Sequence, residues 1–186
     1  MIIDRSQLRA IVNVEGQTCF GCGANNPIGL HMQFFTDEQR VYSQVTVQPA
    51  MAGWDRTVHG GVLSTLLDEI MGWSVIYLLG KIGVTKTMTV EFVKPVQAGR
   101  PLTVVGAVEA TPSERQVAAT GEVYSEEGVL CAKATGVFAA MSTQAAVRPS
   151  LTRFDTLRCV SAAAAICGKW VMTMICRLAA SSRSLA

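Results

Sequence analysis

Only two histidines occur in the 186 residues, His31 and His59. A cysteine nucleophile needs a neighbouring base, so a Cys–His catalytic pair finds little to work with here. His59 reads instead as a buried structural residue beside a helix start. No GxGxxG and no Walker sequence is present, which excludes the two common phosphate-cradling loops and gives no reason to expect a dinucleotide or other cofactor. No internal repeat is found, which excludes a solenoid. The opening stretch MIIDRSQLRAIVN has scattered charges and no apolar core of the secretory type. The expected compartment is therefore the reducing cytoplasm, with all six cysteines as free thiols. Cys19-Phe20-Gly21-Cys22 is half of a zinc knuckle, but no second pair follows at suitable spacing. The expectation is a tight glycine-assisted turn leading into the first strand, with no metal.

The sequence is 49% hydrophobic and long enough to bury a sizeable core. Its net charge of +2 hides an asymmetry: residues 1–140 carry ten Lys/Arg against thirteen Asp/Glu, whereas residues 141–186 carry six against Asp155 alone. Arg148-Pro149-Ser150 marks the change. The organisation expected is an N-terminal extension over 1–16, one domain over 17–142, and a basic, Ala-rich tail over 143–186. Within the tail, residues 160–176 are apolar but interrupted by Lys169, and they fall short of the roughly 20 residues that span a bilayer. An appended helix or tail is therefore favoured over a membrane anchor. The basic charge comes without a nucleic-acid motif, so no nucleic-acid partner is expected.

Periodicity orders the domain. LHMQFFT (30–36) and VYSQVTV (41–47) flank the polar turn DEQR and read as a hairpin. Residues 60–79 contain no proline and are apolar around most of their circumference, as in a helix buried on most sides. Four segments rich in Val, Thr and Ala follow at 84–94, 102–111, 115–125 and 128–140, separated by turn signals. Two strands, one helix and four strands make an α+β domain whose antiparallel sheet must wrap around one long central helix.

That helix has a chemical side. At about 100° per residue, Gly61, Thr65, Asp68 and Gly72 lie within about 60° of one another, flanked by Ser64 and Glu69. Leu63, Leu66, Leu67, Ile70 and Trp73 occupy the opposite face. A solvated edge of an amphipathic helix carries Lys and Arg; this stripe carries small residues, which admit a ligand or a second backbone. Gly60 and Gly61 open the helix, where free N–H groups and the positive dipole end suit a carbonyl oxygen that becomes an oxyanion. Gly60 and Asp68 are about 12 Å apart along the axis, so one helix cannot bring both to one carbonyl. A second, antiparallel copy would supply the other half.

At HGGVLSTLLDE (59–69) the sequence resembles the hotdog-fold acyl-CoA thioesterases of the PaaI and 4-hydroxybenzoyl-CoA group. CFGCGANNPIGLHMQF (19–34) and GVTKTMTVEFVKPVQAGRPLTV (83–104) extend the resemblance over roughly 17–141. It implies a hotdog fold, a homodimer or a dimer of dimers (a homotetramer), and thioester hydrolysis at the subunit interface. It implies Asp68 as the catalytic carboxylate and Gly60 as the oxyanion N–H donor. His59, Gly61, Thr65, Glu69 and Thr85 are the expected substrate-binding and helper positions, and Lys86, Lys94 or Arg100 are candidates for the CoA phosphates. Some members carry Asn or Gln six residues before the His; here that position is Gly53.

The function expected is hydrolysis of an acyl-CoA thioester to free acid and CoA, with Asp68 as general base or as nucleophile. A hotdog dehydratase or hydratase uses a His/Asp arrangement absent from this sequence. A non-catalytic acyl-CoA-binding or regulatory hotdog domain is the alternative, and Gly53 is the feature that favours it. No residue after Met141 falls on a catalytic position, so a chain ending at Ser142 is expected to fold and to keep thioesterase activity, with liposome co-sedimentation reporting any membrane role of the tail. Loss of turnover in a truncated protein that still folds would mean that the tail reaches the active site.

Overall fold

The computed structural model describes residues 5–13 and 16–142; residues 143–186, expected to form a tail, lie outside the described residues. Eight main elements run in the order β1 (Arg9–Ile11), β2 (Phe34–Thr36), β3 (Val41–Thr46), α1 (Gly60–Leu79), β4 (Lys81–Phe92), β5 (Pro101–Ser113), β6 (Gln116–Ser125) and β7 (Leu130–Ser142). The seven strands form one antiparallel sheet in the order β1-β2-β3-β5-β6-β7-β4. The helix packs against β3, β4, β5 and β6. The expected α+β architecture is the one found.

Three details differ from the sequence reading. β1 adds a seventh strand, pairing Ala10 with Phe35 inside the segment read as an extension. Its three residues, two exposed and one half-buried, are too few to show a period, and the contacts that hold it are remote: Arg9 pairs with Glu38 at 2.9 Å and lies over the Tyr77 ring. The first hairpin strand shortens to Phe34–Thr36. β5 runs on through Pro112 to Ser113, past the expected turn at 111–114. Register shifts at Val108/Ala110 and Ala110/Ser113 accommodate the proline, whose missing N–H is tolerated at such irregularities.

Helix α1 forms where expected because both ends carry stop signals. His59 is the N-cap and Gly80 closes the C-terminus at φ 60°, in the left-handed region that glycine enters without a Cβ penalty. β4 starts at the next residue. Leu63, Leu66, Leu67, Ile70 and Trp73 are all buried, and Trp73 stacks on Phe34 of β2 with ring centroids 4.6 Å apart. Across the sheet, Val41, Val104, Val117 and Val123 complete the core. By length and hydropathy α1 would pass for a membrane span, and its packing in the core accounts for that composition.

The sheet comes very close to the helix at β5. A Cβ on Gly106 would stand 2.6 Å from Ser74 Oγ and 2.7 Å from the Ile70 carbonyl oxygen, and Ser74 Oγ already donates to that carbonyl. Backbone cannot retreat from such a contact as a flexible side chain can. Gly106→Ala is therefore expected to destabilise the domain by about 1–3 kcal/mol through overpacking, read as a lower midpoint in urea. An unchanged midpoint would mean that helix and sheet separate freely.

Candidate active site

The first turn of α1 is nearly self-sufficient in hydrogen bonds. The His59 N–H donates to the Met51 carbonyl at 3.2 Å. The Gly61 N–H donates to His59 Nδ1 at 3.0 Å. The N–H groups of Val62 and Leu63 both donate to the His59 carbonyl. Gly60 remains: its N–H has no acceptor among the described residues. A helix start ordinarily leaves several donors orphaned, so the local sequence has narrowed them to one. His59, expected to be buried, is exposed instead. Its ring reaches back over the helix end to cap Gly61, and that position lies open to solvent in the single chain.

Eight residues on, Asp68 accepts a hydrogen bond from Thr85 Oγ1 at 2.5 Å. Thr85 lies on β4, so the contact ties helix to strand and fixes one carboxylate oxygen while the other stays uncommitted among the described residues. Thr65 is turned inward on its own helix, donating to the Gly61 carbonyl at 2.9 Å. The stripe Gly61, Thr65, Asp68 and Gly72 is the incompletely covered face of α1. Gly60 belongs to the same surface from the other end, since a Cβ there would meet the Phe92 ring at 3.3 Å. The structure thus joins Asp68 to Thr85 and His59 to Gly61, and it keeps Gly60 and Asp68 about two helical turns apart on the same helix.

Glu69 points elsewhere. It lies under the N-terminal loop, where Cys19 Sγ is 3.3 Å from its Oε1 and a Cβ on Gly21 would meet its Cγ at 2.2 Å. Burial is the first cause that pushes the Glu69 carboxyl up to about 8, with the negative charge of Cys19 adding to it. Cys19 is drawn down to about 5, first because the Cys22 thiol donates a hydrogen bond to it, helped by the N–H groups of Cys22 and Gly21. Donating that bond, and being buried, raises Cys22. The sequence reading treated the Cys19–Cys22 turn and Glu69 separately; 50 positions of chain hide their meeting.

Of the phosphate candidates, Lys86 and Lys94 are exposed, whereas Arg100 is engaged with Glu126 at 3.2 Å and Glu127 at 3.9 Å. Gly53 packs beside His59, where a Cβ would lie 3.4 Å from the His59 Cα, so its missing side chain leaves that flank of the helix start open. A groove of about 310 Å³ lined by Arg5, Gln44, Thr46 and Glu126 contains none of the expected site residues.

Residues 56–132 match the thioesterase superfamily. The domain has the hotdog fold. The E. coli PaaI protein from the phenylacetic acid degradation operon superimposes with a TM-score of 0.55 at 22% identity, over 59% of this chain and 83% of that one. A hypothetical thioesterase from Streptococcus pneumoniae TIGR4, crystallised with coenzyme A, gives a TM-score of 0.53 at 25% identity, over 56% of this chain and 80% of that one. An uncharacterized protein of Schizosaccharomyces pombe is 32% identical over 113 residues. The matched region spans 56% of this chain and 63% of that relative's length. The hotdog resemblance read from residues 59–69 is therefore upheld.

The thiol geometry has a measurable result. In reduced, chelator-treated protein at pH 7, iodoacetamide is expected to modify Cys19 well before Cys22 or Cys131, because of these three thiols Cys19 alone has its pKa drawn down. Its rate should fall as the pH is lowered through about 5. Peptide mass spectrometry reads this directly; a Cys19 rate that rises only above pH 8 would contradict the arrangement.

Proposed function

We propose that this hotdog domain hydrolyses an acyl-CoA thioester, with Asp68 as the catalytic carboxylate and the Gly60 N–H as the oxyanion donor. The observation that carries the reading is the combination of one uncommitted N–H at the helix start with a Thr85-oriented carboxylate on the open face of the same helix. The thioester carbonyl oxygen accepts from Gly60, and the dipole end of α1 favours the negative charge that grows on it. Asp68 takes a proton from water as the water oxygen attacks, or attacks the carbonyl itself and is released by water afterwards. Either route breaks the C–S bond and yields the free acid and CoA thiol. Thr85 keeps one carboxylate oxygen in place. Coenzyme A in the structure of the pneumococcal protein supports CoA as the leaving half, and of the three phosphate candidates Lys86 and Lys94 form no ion pair among the described residues.

The separation of about 12 Å between Gly60 and Asp68 requires a second copy of the chain, whose helix runs antiparallel to the first. The outer strand supports such an arrangement. β4 ends the sheet and is 12 residues long, and Val84 and Phe92 on it are exposed. A long edge strand presents a row of backbone N–H and C=O groups that is a ready template for pairing. The second reading, an acyl-CoA-binding domain without turnover, draws on Gly53, which offers no amide beside His59.

Two substitutions isolate the two halves. Asp68→Asn preserves size and is expected to lower thiol release from a panel of acyl- and aryl-CoA esters by about 100-fold or more, while Glu69→Gln, a variant of the residue turned toward Cys19, has the smaller effect. Near-wild-type turnover in folded Asp68→Asn protein would sink the assignment. At Gly60 the backbone permits a sharper experiment. His59 has φ −60° and ψ 135°, the conformation proline demands of its predecessor, and proline is well tolerated at the first helical position. Gly60→Pro deletes the N–H, whereas Gly60→Ala adds the same Cβ against Phe92 and keeps it. Gly60→Pro is expected to fall below Gly60→Ala in kcat by about 100- to 1,000-fold; equal rates would remove Gly60 from the mechanism.

A further inference from the structure

We propose that Cys19, Cys22 and Glu69 form a zinc-binding site that clamps the N-terminal loop onto the central helix next to Asp68. The two sulfurs and a Glu69 carboxylate oxygen all lie within 4.8 Å of one another. Tetrahedral zinc with sulfur at about 2.3 Å and oxygen at about 2.0 Å needs S···O edges of about 3.5 Å, and the Cys19–Glu69 separation is 3.3 Å. The donors come from two places, a loop and a helix, so an ion there cross-links elements that otherwise meet through weak contacts. Two thiolates with one carboxylate select a borderline-soft ion over magnesium or calcium, and three protein ligands leave a fourth position for water.

The loop is built as a knuckle around the sulfurs. The Gly23 N–H donates to the Cys19 carbonyl at 2.9 Å, closing the turn. A Cβ on Gly23 would stand 2.4 Å from the Cys19 nitrogen, so glycine is required there. Asn13 Nδ2 donates to the Cys22 carbonyl at 2.8 Å, and the Met32 N–H to the Gly21 carbonyl at 3.0 Å, holding the turn from outside. The lack of a cation is the second sign. Glu69 is partly buried and forms no ion pair with any Lys, Arg or His among the described residues, and a carboxylate drawn out of water without a cation is costly. A divalent ion removes that cost. The same loop holds Gln17, whose buried side-chain oxygen and nitrogen have no partner among the described residues.

The test needs no thioester, so it fails or succeeds separately from the hydrolase reading. Full-length protein is reduced, stripped with chelator and titrated with zinc(II), then with cobalt(II) as a spectroscopic substitute. One equivalent of zinc should bind and protect Cys19 and Cys22 together from iodoacetamide, with Cys131 unaffected. Cobalt should give thiolate-to-metal charge-transfer absorption and tetrahedral d–d bands. Glu69→Gln should weaken zinc binding by about 10- to 100-fold or more, and Cys19→Ser/Cys22→Ser should abolish the charge-transfer band. The wild-type protection experiment decides the matter even if the double variant fails to fold. Zinc that leaves the alkylation of Cys19 and Cys22 unchanged overturns the proposal, as does cobalt absorption that survives in a folded double variant.

Discussion

The helix start at His59-Gly60-Gly61 is the feature on which the site depends. A helix beginning in the open would present several unsatisfied N–H groups to water and favour no single ligand atom. Here the His59 ring, the His59 carbonyl and the Met51 carbonyl take the neighbouring donors, and Gly60 alone is left without an acceptor among the described residues. A lone donor at the positive end of a 20-residue helix dipole is a specific electrostatic instrument. It keeps its place only if the helix cannot shift. The Trp73–Phe34 stack and the close approach at Gly106 hold the helix against the sheet. Packing far from the chemistry thus sets the position of the atoms nearest to it.

The same burial produces the asymmetry of Asp68 and Glu69. Adjacent residues on a helix point about 100° apart, so one carboxylate faces the open stripe and Thr85 while the other turns under the Cys19–Cys22 loop. Their surroundings then diverge: one is hydrogen-bonded by a threonine at an accessible surface, the other is enclosed with two thiols. The helix therefore carries two carboxylates in chemically different surroundings on neighbouring positions.

Much of this was legible in the sequence because it is periodic. The length of 60–79, its lack of proline and its apolar character around most of its circumference located the helix, the angular spacing of its residues located its core face and the stripe containing Asp68, and the alternation of 115–125 and 128–140 located β6 and β7. Where the pattern is short or broken the reading missed: Arg9–Ile11 is too brief to show a period, and Pro112 marked a turn although a bulge carries the strand through it. Long-range meetings were invisible for a different reason. No local rule says that Cys19 will sit against Glu69, or that the Met51 carbonyl will take the His59 N–H, since each follows from how loops return across the sheet. The exposed state of His59 was misjudged because a histidine beside a buried helix looks like core until its capping bond is seen.

The central claim is that one copy of the chain supplies the Gly60 donor and another supplies the Asp68 carboxylate. The most direct measurement is thiol release from hybrid oligomers made by mixing Gly60→Pro and Asp68→Asn chains, each nearly inactive alone, under conditions where subunit exchange is verified by mass. Shared sites predict that a fraction of the wild-type rate returns on mixing, because a hybrid dimer retains one intact pairing of Gly60 with Asp68. No recovery after proven exchange would mean that donor and carboxylate act within a single chain, and the account would fail.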